Sequence, residues 1–202
     1  SVRNSDNVTI GRAALALPPF QGNDISNFRN GIAAKNATDL SVQLNSITGI
    51  NKGTGIALVN SDDAQIGDEL SLFGFPISLG NTVSNFVTGI SLRQSNDVTI
   101  TNNELANNKN GIQNKKSDRT MISDNTLTNT KNAAIRIFNK SDDVQVLDNE
   151  INGADYGVLA SDAIGLNVAG NQITDVYTGV DSTRGDNAKF TGNTIENTEI
   201  GV

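Results

Sequence analysis

Four cations recur at related places after a repeated small-residue–isoleucine pair: Lys35 after Gly31-Ile32, Arg93 after Gly89-Ile90, Lys115 after Gly111-Ile112, and Arg136 after Ala134-Ile135. If the isoleucine points inward in an extended strand, the residues one and three places further on point outward. That gives one outward row of Ala33, Ala57, Ser91, Gln113, Arg136, Leu159 and Asp181, and a second of Lys35, Val59, Arg93, Lys115, Phe138, Ser161 and Thr183. Lys35, Arg93, Lys115 and Arg136 then form a basic stripe with Phe138 beside it. Residues 109–140 hold seven of the fifteen basic residues and two acids, Asp118 and Asp124, in a chain of net charge −7. A basic face opposed to the overall charge suits an anionic polymer such as a uronate polysaccharide. The same stripe would also serve as a solvated strand face.

Other chemistries find fewer groups. Glycoside hydrolysis needs two carboxylates about 5–10 Å apart, and the two outward rows contain only Asp181. Abstraction of the proton beside a uronate carboxyl needs a base and a charge neutraliser. Tyr156 and Tyr177, just before Gly157-Val158 and Gly179-Val180, could act as acids, although packing into a corner explains them as well. The pairs Asp62-Asp63 and Asp142-Asp143 are the best places for a calcium ion, which seeks several oxygen ligands; as a column of Asx turns they need none. With no His, no Cys and one Met (Met121), thiolate, imidazole and copper sites have no ligands.

The elements that would position these residues are repeats. Asn103-Glu-Leu105 returns as Asn125-Thr-Leu127, Asn149-Glu-Ile151, Asn171-Gln-Ile173 and Asn193-Thr-Ile195, in steps of 22, 24, 22 and 22 residues, with Asn45 one end further. A fixed period of this length marks a solenoid. Within a repeat the apolar residues alternate: Val98, Ile100 and Leu105 inward, Thr99 and Thr101 outward. Alternation is the period of strands, and the intervening Asn, Asp, Ser and Gly suit tight corners. Three short strands per repeat predict an all-β, right-handed parallel β-helix of about eight coils of 22–24 residues. The Asn column should stack by amide-to-amide hydrogen bonds.

This pattern resembles the right-handed parallel β-helix repeat of pectate-lyase-like proteins, over essentially the whole chain. The resemblance implies a carbohydrate-associated protein whose glycan groove is formed by the Gly-Ile strand and the loops entering it. It also implies that a lyase base can be Arg or Lys assisted by calcium, for which Arg93, Lys115 and Arg136 are the matching residues. The His-bearing motif of bacterial mannuronan epimerases has no counterpart here. The architecture hosts lyases, epimerases, hydrolases, tailspikes and adhesins, so fold alone does not select among them.

Two repeats are oversized, with insertions near 15–24 and 71–82 containing Leu17-Pro18-Pro19-Phe20 and Phe73-Gly74-Phe75-Pro76. We expect both to enter at the corner before the Gly-Ile strand, where Phe20, Phe73 and Phe75 would wall the groove. The stripe Lys35, Arg93, Lys115, Arg136, with Phe138 and Asp181, would be its floor.

A solenoid has no internal boundary, so residues 1–202 are expected to form one domain. The chain opens in mid-repeat and stops just after a strand begins, without a capping element; we expect a segment of a longer protein, whose uncapped ends are surfaces for self-association. No stretch is long and apolar enough for a membrane span, and the acidic balance argues against nucleic acid as a partner. The functional expectation is an extracellular or cell-surface module that binds an anionic polysaccharide, acting as a lyase or epimerase if it is an enzyme. A structural or adhesive stalk, or a phage tailspike fragment, would share the same repeats.

Overall fold

The computed structural model describes residues 1–11, 22–72 and 75–202. The chain winds as a right-handed parallel β-helix, the handedness that strand twist imposes on parallel crossovers. Each coil contributes to three faces. The Gly-Ile face stacks Val2–Asp6, Ile32–Thr38, Thr54–Val59, Thr88–Arg93, Asn110–Lys115 and Ala133–Phe138, then the later parts of Glu150–Ser161 and Gln172–Thr183. The second face is an eight-stranded sheet from Thr9–Ile10 to Lys189–Thr191. The third face begins with Asp24–Phe28 and ends with Thr194–Glu196. In the two coils holding Glu150–Ser161 and Gln172–Thr183, one twelve-residue strand runs through the corner between the third and Gly-Ile faces, joining them into a single sheet of fourteen strands. Among the described residues no helix is long and apolar enough to cross a membrane.

The register of the strands stacks like upon like. Ile56, Ile90, Ile112, Ile135 and Val158 form one inward row, and Ile66, Ile100, Ile122, Val146 and Val168 another; all are fully buried. A change of register by one residue would turn every one of these side chains outward, so burial fixes the rungs. Glycine before the isoleucine reflects close approach. A Cβ on Gly111 would stand 2.6 Å from a Leu127 methyl and closer still to the Ala134 carbonyl.

The corners explain the asparagine content. Of the twenty-seven described non-glycine residues in the left-handed region, twenty-one are Asn or Asp, the residues that tolerate it best. The predicted ladder is longer than its visible repeat. Nδ2 of Asn23, Asn45, Asn81, Asn103, Asn125, Asn149 and Asn171 each donates to Oδ1 of the next member, ending at Asn193, over 2.8–3.0 Å. A second ladder lies at the corner after the Gly-Ile strand. The hydroxyl oxygens of Ser61, Ser95, Ser117 and Ser141 accept the backbone N–H groups of Ala37, Ser61, Ser95 and Ser117.

The insertions leave the coil one corner earlier than expected. The first falls between Thr9–Ile10 and Asp24–Phe28, the second between Gln65–Ile66 and Thr82–Ser84. Both therefore precede the ladder asparagines Asn23 and Asn81, at the corner between the second and third faces. The related stretches Gly22-Asn23-Asp24-Ile25 and Gly80-Asn81-Thr82-Val83 are the ladder turn and third strand that follow each insertion. The second insertion contains an antiparallel hairpin, Glu69–Leu72 with Phe75–Ser78. Phe20 and Phe73 lie outside the described residues, as does the side chain of Phe75. The hairpin stands one face away from the Gly-Ile strands.

Candidate functional site

Parallel pairing puts the outward side chains of the Gly-Ile face in rows with a rung spacing of about 4.8 Å. Register confirms both predicted rows and lengthens one: Arg3 lies beside Lys35, Lys35 beside Val59, Val59 beside Arg93, Arg93 beside Lys115, and Lys115 beside Phe138. In the other row Gln113 stands between Ser91 and Arg136, and Leu159 between Arg136 and Asp181. The stripe is therefore not continuous. Val59 separates Lys35 from Arg93 by two rungs, while Arg93, Lys115 and Arg136 occupy three successive coils.

Phe138 joins the last two of these cations. The Arg136 guanidinium carbon lies 4.6 Å, and the Lys115 ammonium 5.7 Å, from the centre of its ring. Both distances are within cation–π range. Arg136, Lys115 and Phe138 are half-buried, whereas Arg93 and Lys35 are exposed. The face also continues around the corner before the strand. Backbone bonds set Lys131 directly over Lys109, and both are exposed. Alternation within the strand does not reveal this pair, because Lys109 and Lys131 lie one and two residues before the strand starts at Asn110 and Ala133.

Asp181 lies two rungs beyond Arg136 and lines a separate recess with Tyr156 and Tyr177. No second carboxylate occupies these two rows among the described residues. Tyr177 is 52% exposed rather than packed into a corner. The uninterrupted strand Gln172–Thr183 alternates through that corner, so that Val176 is inward and Tyr177 outward.

The acidic column is occupied by the backbone. Oδ1 of Asp62, Asn96, Asp118 and Asp142 accepts the backbone N–H of Asn96, Asp118, Asp142 and Ile164 respectively, at 2.7–3.0 Å. The neighbouring row runs Asp63, Asp97, Arg119 and Asp143, each in the left-handed conformation. Arg119 grips Asp97 through two hydrogen bonds of 2.7 and 2.6 Å. Hydrogen bonding to Arg119, aided by its charge, holds the Asp97 carboxyl below its usual range; the same bonding of Arg184 to Asp162 lowers that carboxyl. No three metal-ligating side chains converge among the described residues. The candidates Asp62, Asp63, Asp142 and Asp143 are distributed between these two rows.

Those two ion pairs are the only ones among the described residues. Lys35, Arg93, Lys109, Lys115, Lys131 and Arg136 have no acidic partner there. The face can thus offer charge to an incoming anion without first breaking a bond.

The chain belongs to the right-handed β-helix family. The family profile, described as "Right handed beta helix region", matches residues 30–195. No curated protein matches the sequence significantly. Among solved structures, a mutant of the periplasmic alginate epimerase AlgG superposes with a TM-score of 0.73 at 17% identity, over 95% of this chain and 46% of that one. The enzymatically active domain of tailspike protein 2 of bacteriophage CBA120 gives a TM-score of 0.58 at 11% identity, over 86% of this chain and 34% of that one. The chain thus spans less than half of either. At these identities the likeness is one of fold.

Proposed function

We propose that the chain binds an anionic, uronate-type polysaccharide along the Gly-Ile face, centred on Arg93, Lys115, Arg136 and Phe138. The observation that carries this reading is a set of cations on successive rungs with no acidic partner among the described residues, on a chain of net charge −7. Arginine presents a planar donor fork to a carboxylate, lysine adds a mobile charge, and the Phe138 ring can lie against a sugar face. The fold is shared with an alginate epimerase, which supports a glycan over other polyanions. An extracellular or cell-surface setting, where such polymers occur, is part of the proposal. Lys109 and Lys131 widen the basic area across the preceding corner.

The reading is recognition of the polymer. If turnover accompanies it, Arg93, Lys115 and Arg136 supply the base and the charge neutraliser. A stalk is favoured by a different observation, the asparagine ladder linking every coil from Asn23 to Asn193. Titration with alginate, pectate, chondroitin and neutral glucans separates the two, with absorbance at about 235 nm monitoring double bonds formed by elimination. Salt-sensitive binding confined to the anionic polymers is expected. Equal response to neutral glucans, or none to any polymer, would leave the stalk.

A further inference from the structure

The corner after the Gly-Ile strand carries one row of left-handed residues along the solenoid: Asn4, Asn36, Asn60, Gln94, Lys116, Asn139 with the extra residue Lys140, Asp162 and Arg184. Both ends of this row are satisfied from within. Asn60 donates to Asn36, and Asn36 to Asn4, through side-chain amides at 3.2 and 3.0 Å. At the other end Arg184 holds Asp162 through two hydrogen bonds. In the middle, the side chains of Gln94, Lys116, Asn139 and Lys140 form no hydrogen bond or ion pair among the described residues. Lys140 lowers the Asp162 carboxyl through its charge but stands beyond ion-pair distance.

Long side chains are costly in this conformation. Of the six non-Asn, non-Asp residues adopting it, Arg119 and Arg184 are explained by their carboxylate partners, and Leu44 lies elsewhere. Gln94, Lys116 and Lys140 remain. They line one shallow, open recess of about 350 Å³ together with Asn96, Asp118 and Asn139. Gln94, Lys116, Asn139 and Lys140 are exposed along it, and Asn96 and Asp118 are half-buried. Its floor is fixed, because Asn96 and Asp118 each commit Oδ1 to the next coil's backbone. Two ammonium groups outweigh the one carboxylate, and the surrounding amides both donate and accept.

We propose that this corner cleft seats a single sugar unit bearing one anionic group, a carboxylate or a sulfate ester. Lys116 and Lys140 hold the anion, and the Gln94 and Asn139 amides bond hydroxyls. The cleft adjoins the Gly-Ile face at Lys115 and Phe138 but does not depend on polymer binding there. A branch or terminal sugar of a bound glycan could reach it around the edge.

The test is a nuclear magnetic resonance titration of the ¹⁵N-labelled chain with glucuronate, a glucose sulfate ester, neutral glucose and inorganic sulfate. Saturable shifts at the amides of residues 94, 116, 139 and 140 are expected with one or both charged sugars. The tighter of the two identifies the anion. Lys116→Asn with Lys140→Asn should weaken binding by about tenfold or more. Because these changes restore the residue type found at Asn36 and Asn60, thermal stability should not fall. No saturable shift with either charged sugar would overturn the proposal. So would unchanged affinity in the double variant, or binding of inorganic sulfate or glucose as tight as that of the charged sugar. Polymer titration of the unaltered chain is the separate arm. If it fails while the charged sugar binds, the face reading falls and the cleft stands; the reverse result removes only the cleft.

Discussion

Two sets of cations sit on this solenoid, and they differ in what faces them. Arg119 and Arg184 occupy corners, each gripping a carboxylate one coil below, 22 residues earlier in the chain. Arg93, Lys115 and Arg136 occupy a strand face whose two outward rows contain one carboxylate, Asp181, two rungs from the nearest of them. The repeat period could have placed an acid under each face cation as it did under Arg119. It placed Val59 under Arg93, Arg93 under Lys115 and Gln113 under Arg136 instead. The corner pairs are accounted for by the fold, whereas the face cations repel one another and are left available to a ligand.

Removing the scaffold that both sets share should have the largest effect. Asn125 Nδ2 donates to Ile100, Ser123 and Asn149, and its Oδ1 accepts from the Asn103 backbone and side chain. Asn125→Ala leaves several buried groups without partners and should cost about 3 kcal/mol or more, read as a lowered urea midpoint. The folded fraction should retain its polymer affinity.

Charge reversal on the face tests function directly. Lys115→Glu with Arg136→Glu should lower affinity for the anionic polymer about a hundredfold, equivalent to about 2.7 kcal/mol, as measured by calorimetry at low salt. The thermal midpoint should move little. A collapse of stability in place of affinity would mean that these cations serve the fold.

Asn114 sharpens the contrast from within. It points into the core beneath the basic face, where neighbouring coils place Leu92 and Ile137; its Nδ2 donates to the Ser117 carbonyl at 3.1 Å, and its Oδ1 is buried without a partner among the described residues. Asn114→Leu removes the unpaired oxygen and one hydrogen bond together, so stability in chemical denaturation should change by only about 1 kcal/mol or less, and polymer binding should be unchanged.

The smallest effect belongs to the corner pair. Arg119→Asn should change stability at neutral pH only slightly, because both partners are exposed. Its signature is pH dependence. The Asp97 carboxyl is depressed when folded, so the pair's contribution is present above its ordinary value of 3.8 and lost as pH falls through the lower folded value. Acid denaturation curves of the variant and the parent should therefore converge at the acid end.

Much of this was legible without coordinates. Val98, Ile100 and Leu105 alternate with Thr99 and Thr101, and the spacing of Asn103, Asn125, Asn149, Asn171 and Asn193 gives the coil length directly. Both outward rows containing Arg93, Lys115 and Arg136 followed from alternation alone. Less legible were places where the period breaks. Asn23-Asp-Ile25 and Asn81-Thr-Val83 carry the ladder signature 22 residues before Asn45 and Asn103, and only the step of 36 from Asn45 to Asn81 departs from the period. The insertions enter one corner earlier than the spacing to the next glycine suggests, because the regular coil resumes at the ladder asparagine.

By itself, the sequence determined the right-handed β-helix, the coil length and which side chains point outward, since these depend on local periodicity and corner chemistry. Only the tertiary structure decided which charges are partnered. Across coils Arg119 meets Asp97 and the Asp118 carboxylate accepts the backbone N–H of Asp142, while Lys116 and Lys140 meet no acid at ion-pair distance among the described residues. That depends on the register between residues 22 or more apart and on the direction each side chain takes at its corner. An alternating pattern within one strand carries no information about either.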